Sequence, residues 1–246
     1  MTYKTHGIIL RHSDWQDYNR IYTLLTRDRG KMSAIARGVR KIKSKQSAKL
    51  RPFSVIEVMI ANGRKIDTLA TAETVRDFPG VMDNLLVLGL ASFCTELVDS
   101  LTREGEADPK VYLLLEEALA LMDCRGQEKA EKLKALSWFF ALKLLDVLGY
   151  RIDFFKCVTC RDAAADNLSP LNGGVMCVKH SDKNESIKVS EAGLFFLQQT
   201  SGMHLADFAE LTIEPEFSKE FISYIRPMVF VHLNNELKTE HFLAAI

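Results

Sequence analysis

Apolar residues in the first third of the chain come in short runs with turn signals between them. Ile8, Ile9 and Leu10 head a first run that closes near His12, and residues 13–18 read as a turn. Residues 19–26 (NRIYTLLT) form a second run, rich in β-branched and aromatic side chains. Asp28, Arg29 and Gly30 lead into residues 31–37, where Met32, Ala34 and Ala36 alternate with Ser33 and Ile35. Residues 52–61 (PFSVIEVMIA) are a fourth run; Asn62-Gly63 is a hairpin signal, since both tolerate positive φ, and residues 65–76 follow as the return strand. Five short strands with no strong helix among them predict a small closed barrel. The oligonucleotide-binding (OB) fold fits, and an SH3-like barrel fits the pattern nearly as well.

After Pro79-Gly80, which closes this region, the period changes from two to between three and four. Leu85, Leu86, Leu88, Leu90, Phe93, Leu97, Val98 and Leu101 predict an amphipathic helix over residues 83–103, stopped by Gly105. Asp108-Pro109 is a start signal, Asp as N-cap and Pro at the first helical position, for a helix carrying Val111, Leu114, Leu115, Ala118 and Leu121. A third helix over 127–148 turns Leu133, Leu136, Phe140, Leu144 and Val147 inward and ends at Gly149. The short connections predict antiparallel packing. Trp138, Phe139 and Phe140 in succession cannot all point inward; most of the cluster reads as core or interdomain contact, with a docking groove for a partner peptide as the other reading. Past residue 156 comes a loop-rich insert, then helices opened by Ser190 and Ser218, the latter kinked or divided by Pro227. The tail NNELKTEHFLAAI has a short amphipathic pattern. The expectation is an α+β multidomain chain, with a five-stranded OB-fold β-barrel over 1–79 and an α-helical domain over 80–246 that contains an inserted zinc-binding loop at 157–180.

Charge changes the picture. The chain has 32 basic and 32 acidic side chains, yet residues 1–51 carry a net +10 and the remainder −10. Seven of the fifteen residues at 37–51 (RGVRKIKSKQSAKLR) are Lys or Arg and none is acidic. A like-charged run is often only a solvated face, but this one is interior, purely cationic and bracketed by strands. It reads as a tethered loop that tracks phosphates, with Arg37, Arg40, Lys41, Lys43, Lys45, Lys49 and Arg51 helped by Arg11, Arg20 and Lys31. Trp15 and Tyr22 are candidate stacking residues, barrel core being the competing fate of Tyr22. The opening residues contain no signal-peptide core, and no apolar run is long enough to span a membrane; the expected compartment is the cytoplasm.

Three of the five cysteines cluster. Cys157-Val-Thr-Cys160 is followed after sixteen residues by Cys177-Val-Lys-His180, the spacing of a structural zinc site, with Gly173-Gly174 supplying the bend before the second elbow. Four protein ligands leave no open coordination position, so the expected metal is structural, one zinc per chain. A redox CxxC would leave the second pair unexplained. Cys94 and Cys124 lie in helical patterns and read as small hydrophobes. No phosphate-loop, dinucleotide, zincin or hydrolase motif is present, and Asp14 and Asp17 near His12 are better explained by turn chemistry than by a metal-dependent nuclease. The chain reads as a non-enzyme with no small-molecule substrate.

Five stretches together resemble the bacterial recombination mediator RecO family. They are HGIILRHSDWQDYNRIYTLLTRDRGKMSAIARGVRKIKSK from His6, LRPF from Leu50, LGYRIDF from Leu148, the paired elbows, and LKTEHFL from Leu237. The resemblance spans essentially the whole chain. It implies an N-terminal OB barrel, a helical domain and, in many members, a zinc-stabilised loop. It further implies binding of single- and double-stranded DNA without sequence specificity and annealing of complementary strands. With RecR, members load RecA onto strands coated by single-strand-binding protein, and some bind that protein's acidic, apolar C-terminal tail. A cytoplasmic, nucleoid-associated location follows. His180 stands where many zinc-bearing members have Cys, and Thr239 where Ser is expected. An RNA-binding barrel and a structural adaptor with an incidental basic loop are the readings from other classes.

Overall fold

The computed structural model describes residues 1–182 and 184–244. Its N-terminal part is a closed barrel of β1 (Thr2–Trp15), β2 (Asn19–Thr26), β3 (Gly30–Ala36), β4 (Val55–Ala61) and β5 (Asp67–Arg76) in the order β1-β2-β3-β5-β4. β1 pairs antiparallel with both β2 and β4, Ile8 facing Leu25 on one side and Val55 on the other. A short parallel contact, Ala34 with Asp67 and Ile35 with Thr68, joins β3 to β5 and leaves no free edge. Alternate residues fill the interior: Ile56, Val58 and Ile60 from β4 meet Ile9, Tyr22, Leu24, Leu69 and Ala72. Each of the Val, Leu and Ile side chains among them contributes about 1.5–3 kcal/mol by leaving water.

The first strand is longer than its apolar run. Residues 13–15 continue β1 through ladder pairs down to Trp15 with Asn19, and only 16–18 turn. Residues 11–15 are exposed, so no inward-outward alternation marks this outer half of the strand; backbone pairing alone extends it. The β4–β5 connection also differs from a two-residue hairpin. It spans residues 62–66, and Gly63 keeps an ordinary φ: a Cβ there would lie 1.8 Å from the Ile66 carbonyl oxygen, so Gly serves close approach.

Pro79-Gly80 opens a helix instead of closing the region. α1 (Pro79–Asp83) has Pro79 in its first turn, and α2 (Leu85–Leu101) follows at once. Asn84 separates them and caps α2, its Oδ1 accepting from the amides of Leu86 (2.9 Å) and Val87 (3.4 Å). α2 ends before Gly105, where Thr102 donates both its amide and its hydroxyl to the Val98 carbonyl. α3 (Pro109–Arg125) starts as its signal predicts, Asp108 accepting from the Lys110 amide. Two compact units emerge: residues 1–124 together with the C-terminal segment from Leu237, and residues 125–236.

In the second unit, Trp138, Phe139 and Phe140 are all buried on α4 (Ala130–Val147), against the expectation that one must face out. Trp138 meets Phe230, and Phe139 stacks on Phe208 at 4.0 Å between centroids and tilts on Phe221. A helix covered on more than one side has no solvent face for its pattern to reveal. The insert is a three-stranded sheet of β6 (Ala165–Ser169), β7 (Gly174–Cys177) and β8 (Ile187–Lys188). α5 (Glu191–Ser201) is capped by Ser190 as expected, and α6 (Leu205–Glu210) is an additional short helix. α7 (Pro215–Phe230) begins at Pro215, ahead of Ser218, whose buried side chain caps nothing. Pro227 neither divides nor ends it: the carbonyl it leaves unpaired belongs to Ser223, an exposed residue. α8 (Lys238–Ala244) packs on α2 within the first unit. Among the described residues no helix is long and apolar enough to cross a membrane.

Candidate nucleic-acid interface and metal centre

The basic segment leaves β3 after Ala36 and returns at Val55, and two apolar anchors pin it. Val39 and Leu50 insert into the barrel core, so the residues between them form a surface loop tethered at both ends. The loop is also clamped to the β1–β2 turn. Asn19 Oδ1 accepts from the Gly38 amide at 2.8 Å, and the Arg40 amide donates to the Tyr18 carbonyl at 3.0 Å. The Arg40 guanidinium reaches the carbonyls of Gln16 and Asp17 and lies 3.4 Å from Asp14. Farther along, Gln46 donates to the Ala70 carbonyl of β5 at 2.7 Å.

These contacts divide the ten cationic candidates. Arg37, Lys41, Lys43 and Lys45 are exposed and have no carboxylate partner among the described residues. Arg11 pairs with Asp99 (2.5 Å), Arg20 with Asp14 (2.8 Å), Lys49 with Glu73 (2.6 Å) and Arg51 with Asp77 (3.8 Å). Exposed pairs of this kind are worth about 0–1 kcal/mol and yield readily to a phosphate. Lys31 differs: its ammonium is largely buried and donates to the Thr102 carbonyl at 2.7 Å and to the Asp99 carbonyl, at the C-terminal end of α2. A cation there satisfies orphan carbonyls and the negative end of the helix dipole.

Of the aromatic candidates, Tyr22 is core, and burial pushes its hydroxyl pKa up. Trp15 is 49% exposed. Tyr18, which no periodic sequence pattern singles out, is 54% exposed and lies beneath Lys41, the ammonium 5.6 Å from the ring centroid. Its signal was an aromatic inside an otherwise polar turn. Asp14 is held below the usual carboxylate range by the hydrogen bond from Arg20. With Arg40 also beside it, this side chain is engaged by two guanidiniums.

The insert builds the second constellation. Cys157 and Cys160 lie on a turn closed by the Arg161 amide donating to the Cys157 carbonyl, with Arg161 itself at φ 65°. Cys177 ends β7, and the His180 amide donates back to its carbonyl. The Gly pair serves the β6–β7 hairpin that delivers this elbow. Gly173 takes φ 68° in the hairpin turn, and Gly174 pairs so closely with Asp153 that a Cβ would lie 2.6 Å from that residue's carbonyl oxygen. Asp153 braces the base: its carboxylate accepts from the amides of Phe155 and Lys156 and from Arg161 at 2.7 Å.

All four ligand atoms of Cys157, Cys160, Cys177 and His180 lie within 4.8 Å of one another. Cys160 and Cys177 sulfurs are 3.7 Å apart, and the His180 Nδ1 lies 3.3 Å from Cys177 and 3.8 Å from Cys157. A tetrahedral ion with ~2.3 Å metal–sulfur bonds has sulfur–sulfur edges of ~3.8 Å. The set therefore fits a metal ion. Hydrogen bonding from the Cys160 amide above all, joined by the Cys177 and Thr159 amides, lowers the Cys157 thiol to about 6 against the opposing effect of burial. The thiolate is the metal-binding form, and these hydrogen bonds favour it at Cys157.

Comparison with known proteins gives matches along nearly the whole chain. The family models described as "Recombination protein O N terminal" and "Recombination protein O C terminal" match residues 1–78 and 82–241. DNA repair protein RecO of Symbiobacterium thermophilum is 29% identical over 247 residues, covering 98% of this chain and 96% of that protein. The same-named protein of Pelotomaculum thermopropionicum is 31% identical, over 98% of this chain and 93% of its own length. That of Bacillus mycoides is 27% identical over 99% and 97%. A barrel with a tethered cationic loop, a helical remainder and matches along nearly the whole length lead to one assignment: the chain belongs to the RecO family of DNA repair proteins.

Proposed function

We propose that this chain binds single- and double-stranded DNA without sequence preference and anneals complementary strands. The observation that carries the reading is the set of exposed cations with no carboxylate partner among the described residues, Arg37, Lys41, Lys43 and Lys45, on a loop anchored to a closed barrel. Such side chains displace condensed counterions from phosphates, which gives affinity through charge alone. Arg11, Arg20, Lys49 and Arg51 extend the track when their weak surface pairs open, and Arg40 positions the loop. Two strands held on one cationic surface repel each other less; base pairing then drives annealing, and no catalytic side chain is required.

The partners in this reading are RecR and the C-terminal tail of single-strand-binding protein, with RecA loading as the outcome, in the cytoplasm at the nucleoid. Zinc is the metal proposed for Cys157, Cys160, Cys177 and His180, one ion per chain, where it would supply a structural crosslink. The loop assignment is tested by a salt titration of the Arg37→Ala, Lys41→Ala, Lys43→Ala, Lys45→Ala variant on single strands. Loss of about four phosphate contacts should shrink the slope of log affinity against log salt by about 3. An unchanged slope overturns it.

A further inference from the structure

The β1–β2 turn and the root of the basic loop border an open cleft of about 410 Å3 lined by Gln16, Asp17, Tyr18, Asn19, Arg37 and Lys41. Its volume is at the small end of ligand pockets, about 300–1,000 Å3, and suits one nucleotide-sized group. It combines an exposed aromatic ring with two cations that have no carboxylate partner among the described residues. A cationic surface that only tracks a backbone needs no ring. A ring facing a phosphate-binding edge is the arrangement that holds an unstacked base.

The walls are fixed in place. The Asn19 side chain bridges Gln16 and the Gly38 amide, and Arg40 ties the turn to the loop through Asp14 and three turn carbonyls. Tyr18 and Lys41 thus project from two segments held together by hydrogen bonds, so little ordering remains for binding to impose. The Lys41 ammonium lies over the Tyr18 face, so a base stacking there displaces it, and the exposed side chain so freed is within reach of the adjoining phosphate. Asp17 lies in the lining and would repel a phosphate. That places the phosphate toward Arg37 and Lys41 and the base toward Tyr18.

We propose that this cleft seats one unstacked base of single-stranded DNA on the Tyr18 ring, with Arg37 and Lys41 on the adjoining phosphates. The inference rests on the DNA-binding reading and adds a specificity to it: duplex DNA, whose bases are stacked and paired, gains nothing from the ring. One stacked base is worth about five- to 150-fold in affinity.

Binding of the full chain to a fluorescent 30-mer, the matching duplex and an all-abasic 30-mer tests it. The wild type should bind the abasic strand about tenfold more weakly than the normal strand. Tyr18→Leu should weaken the normal strand by a similar factor. It should leave the duplex, the abasic strand and the salt slope unchanged, while Tyr18→Phe retains wild-type behaviour. Equal affinity of the wild type for normal and abasic strands overturns the proposal without any variant. So does a Tyr18→Leu protein that binds every probe as before, or loses all of them equally. If Tyr18→Leu is silent but loss of Arg37 and Lys41 still flattens the salt slope, stacking fails and the charge-based reading stands. If the wild type binds none of the probes, the DNA-binding reading fails first.

Discussion

Lys31 and Lys41 carry the same ammonium group in different surroundings. Lys41 is exposed on the loop; Lys31 is largely buried and donates to two carbonyls at the end of α2. Hydrogen bonds from a buried charge are worth about 1.5–3 kcal/mol. Lys31→Met should therefore lower unfolding stability by about 2 kcal/mol in urea titration and leave the salt slope of DNA binding unaltered. A stable variant with a flattened slope would return Lys31 to the phosphate track. Positive charge at both positions was legible from residue types. Which of the two stays on the surface depends on Asp99 and Thr102, which lie about 70 residues from Lys31 in sequence. Tyr18 was obscured for a related reason: an aromatic in a polar turn has no periodic partners, and its exposure follows from how the turn meets the loop.

At the scale of elements, the insert that carries the Cys/His cluster shows how local spacing and distant pairing combine. Each elbow was readable because a CxxC or CxxH turn aims two ligands from a few bonds away. Bringing the elbows together falls to β6, β7 and the Asp153–Gly174 bridge. Gly174→Ala would force a Cβ to 2.6 Å from both the Asp153 carbonyl oxygen and Val158 Cγ1. Supporting residues of this kind typically cost about 10–100-fold in metal affinity when altered. Competition with a chromogenic chelator should show a loss in that range. Mass spectrometry of the unaltered protein should find about one zinc per chain, and chelation should lower its melting temperature. Metal-free protein with unaltered melting would count against a structural ion. The β6–β8 sheet itself escaped notice because its strands are short and Asp166, Asn167 and Ser169 break the apolar pattern.

At the scale of the whole molecule, the segment that holds α8 packs on residues far from it in chain order. Residues from Leu237 join the first compact unit, and Glu96 of α2 receives them. Its carboxylate accepts from the amides of Lys238 (3.0 Å) and Thr239 (2.9 Å) and from the Thr239 hydroxyl (2.6 Å). The hydroxyl in the LKTEHFL motif thus has a structural use that Ser would share. α8 has seven residues, too few to persist unsupported. Glu96→Ala should cost about 1–2 kcal/mol of its docking, in the range of a lost helix cap. Hydrogen exchange at residues 239–243 should accelerate about tenfold while the barrel amides keep their protection. Unchanged exchange would mean that apolar packing alone holds the helix.

Residue order by itself determined the local grammar: five strands, the starts of α3 and α5, the cationic run and the paired elbows. Each depends on neighbours within a few positions, through backbone geometry, side-chain periodicity or the reach of a short turn. The tertiary structure decided that β3 meets β5 to close the barrel, that α4 is covered on more than one side, and that only some cations stay free. Those outcomes are set by contacts between residues far apart in the chain, whose energies no local pattern contains. The basic loop shows both parts: its charge was written in the sequence, and its clamp to the β1–β2 turn arose only from the fold.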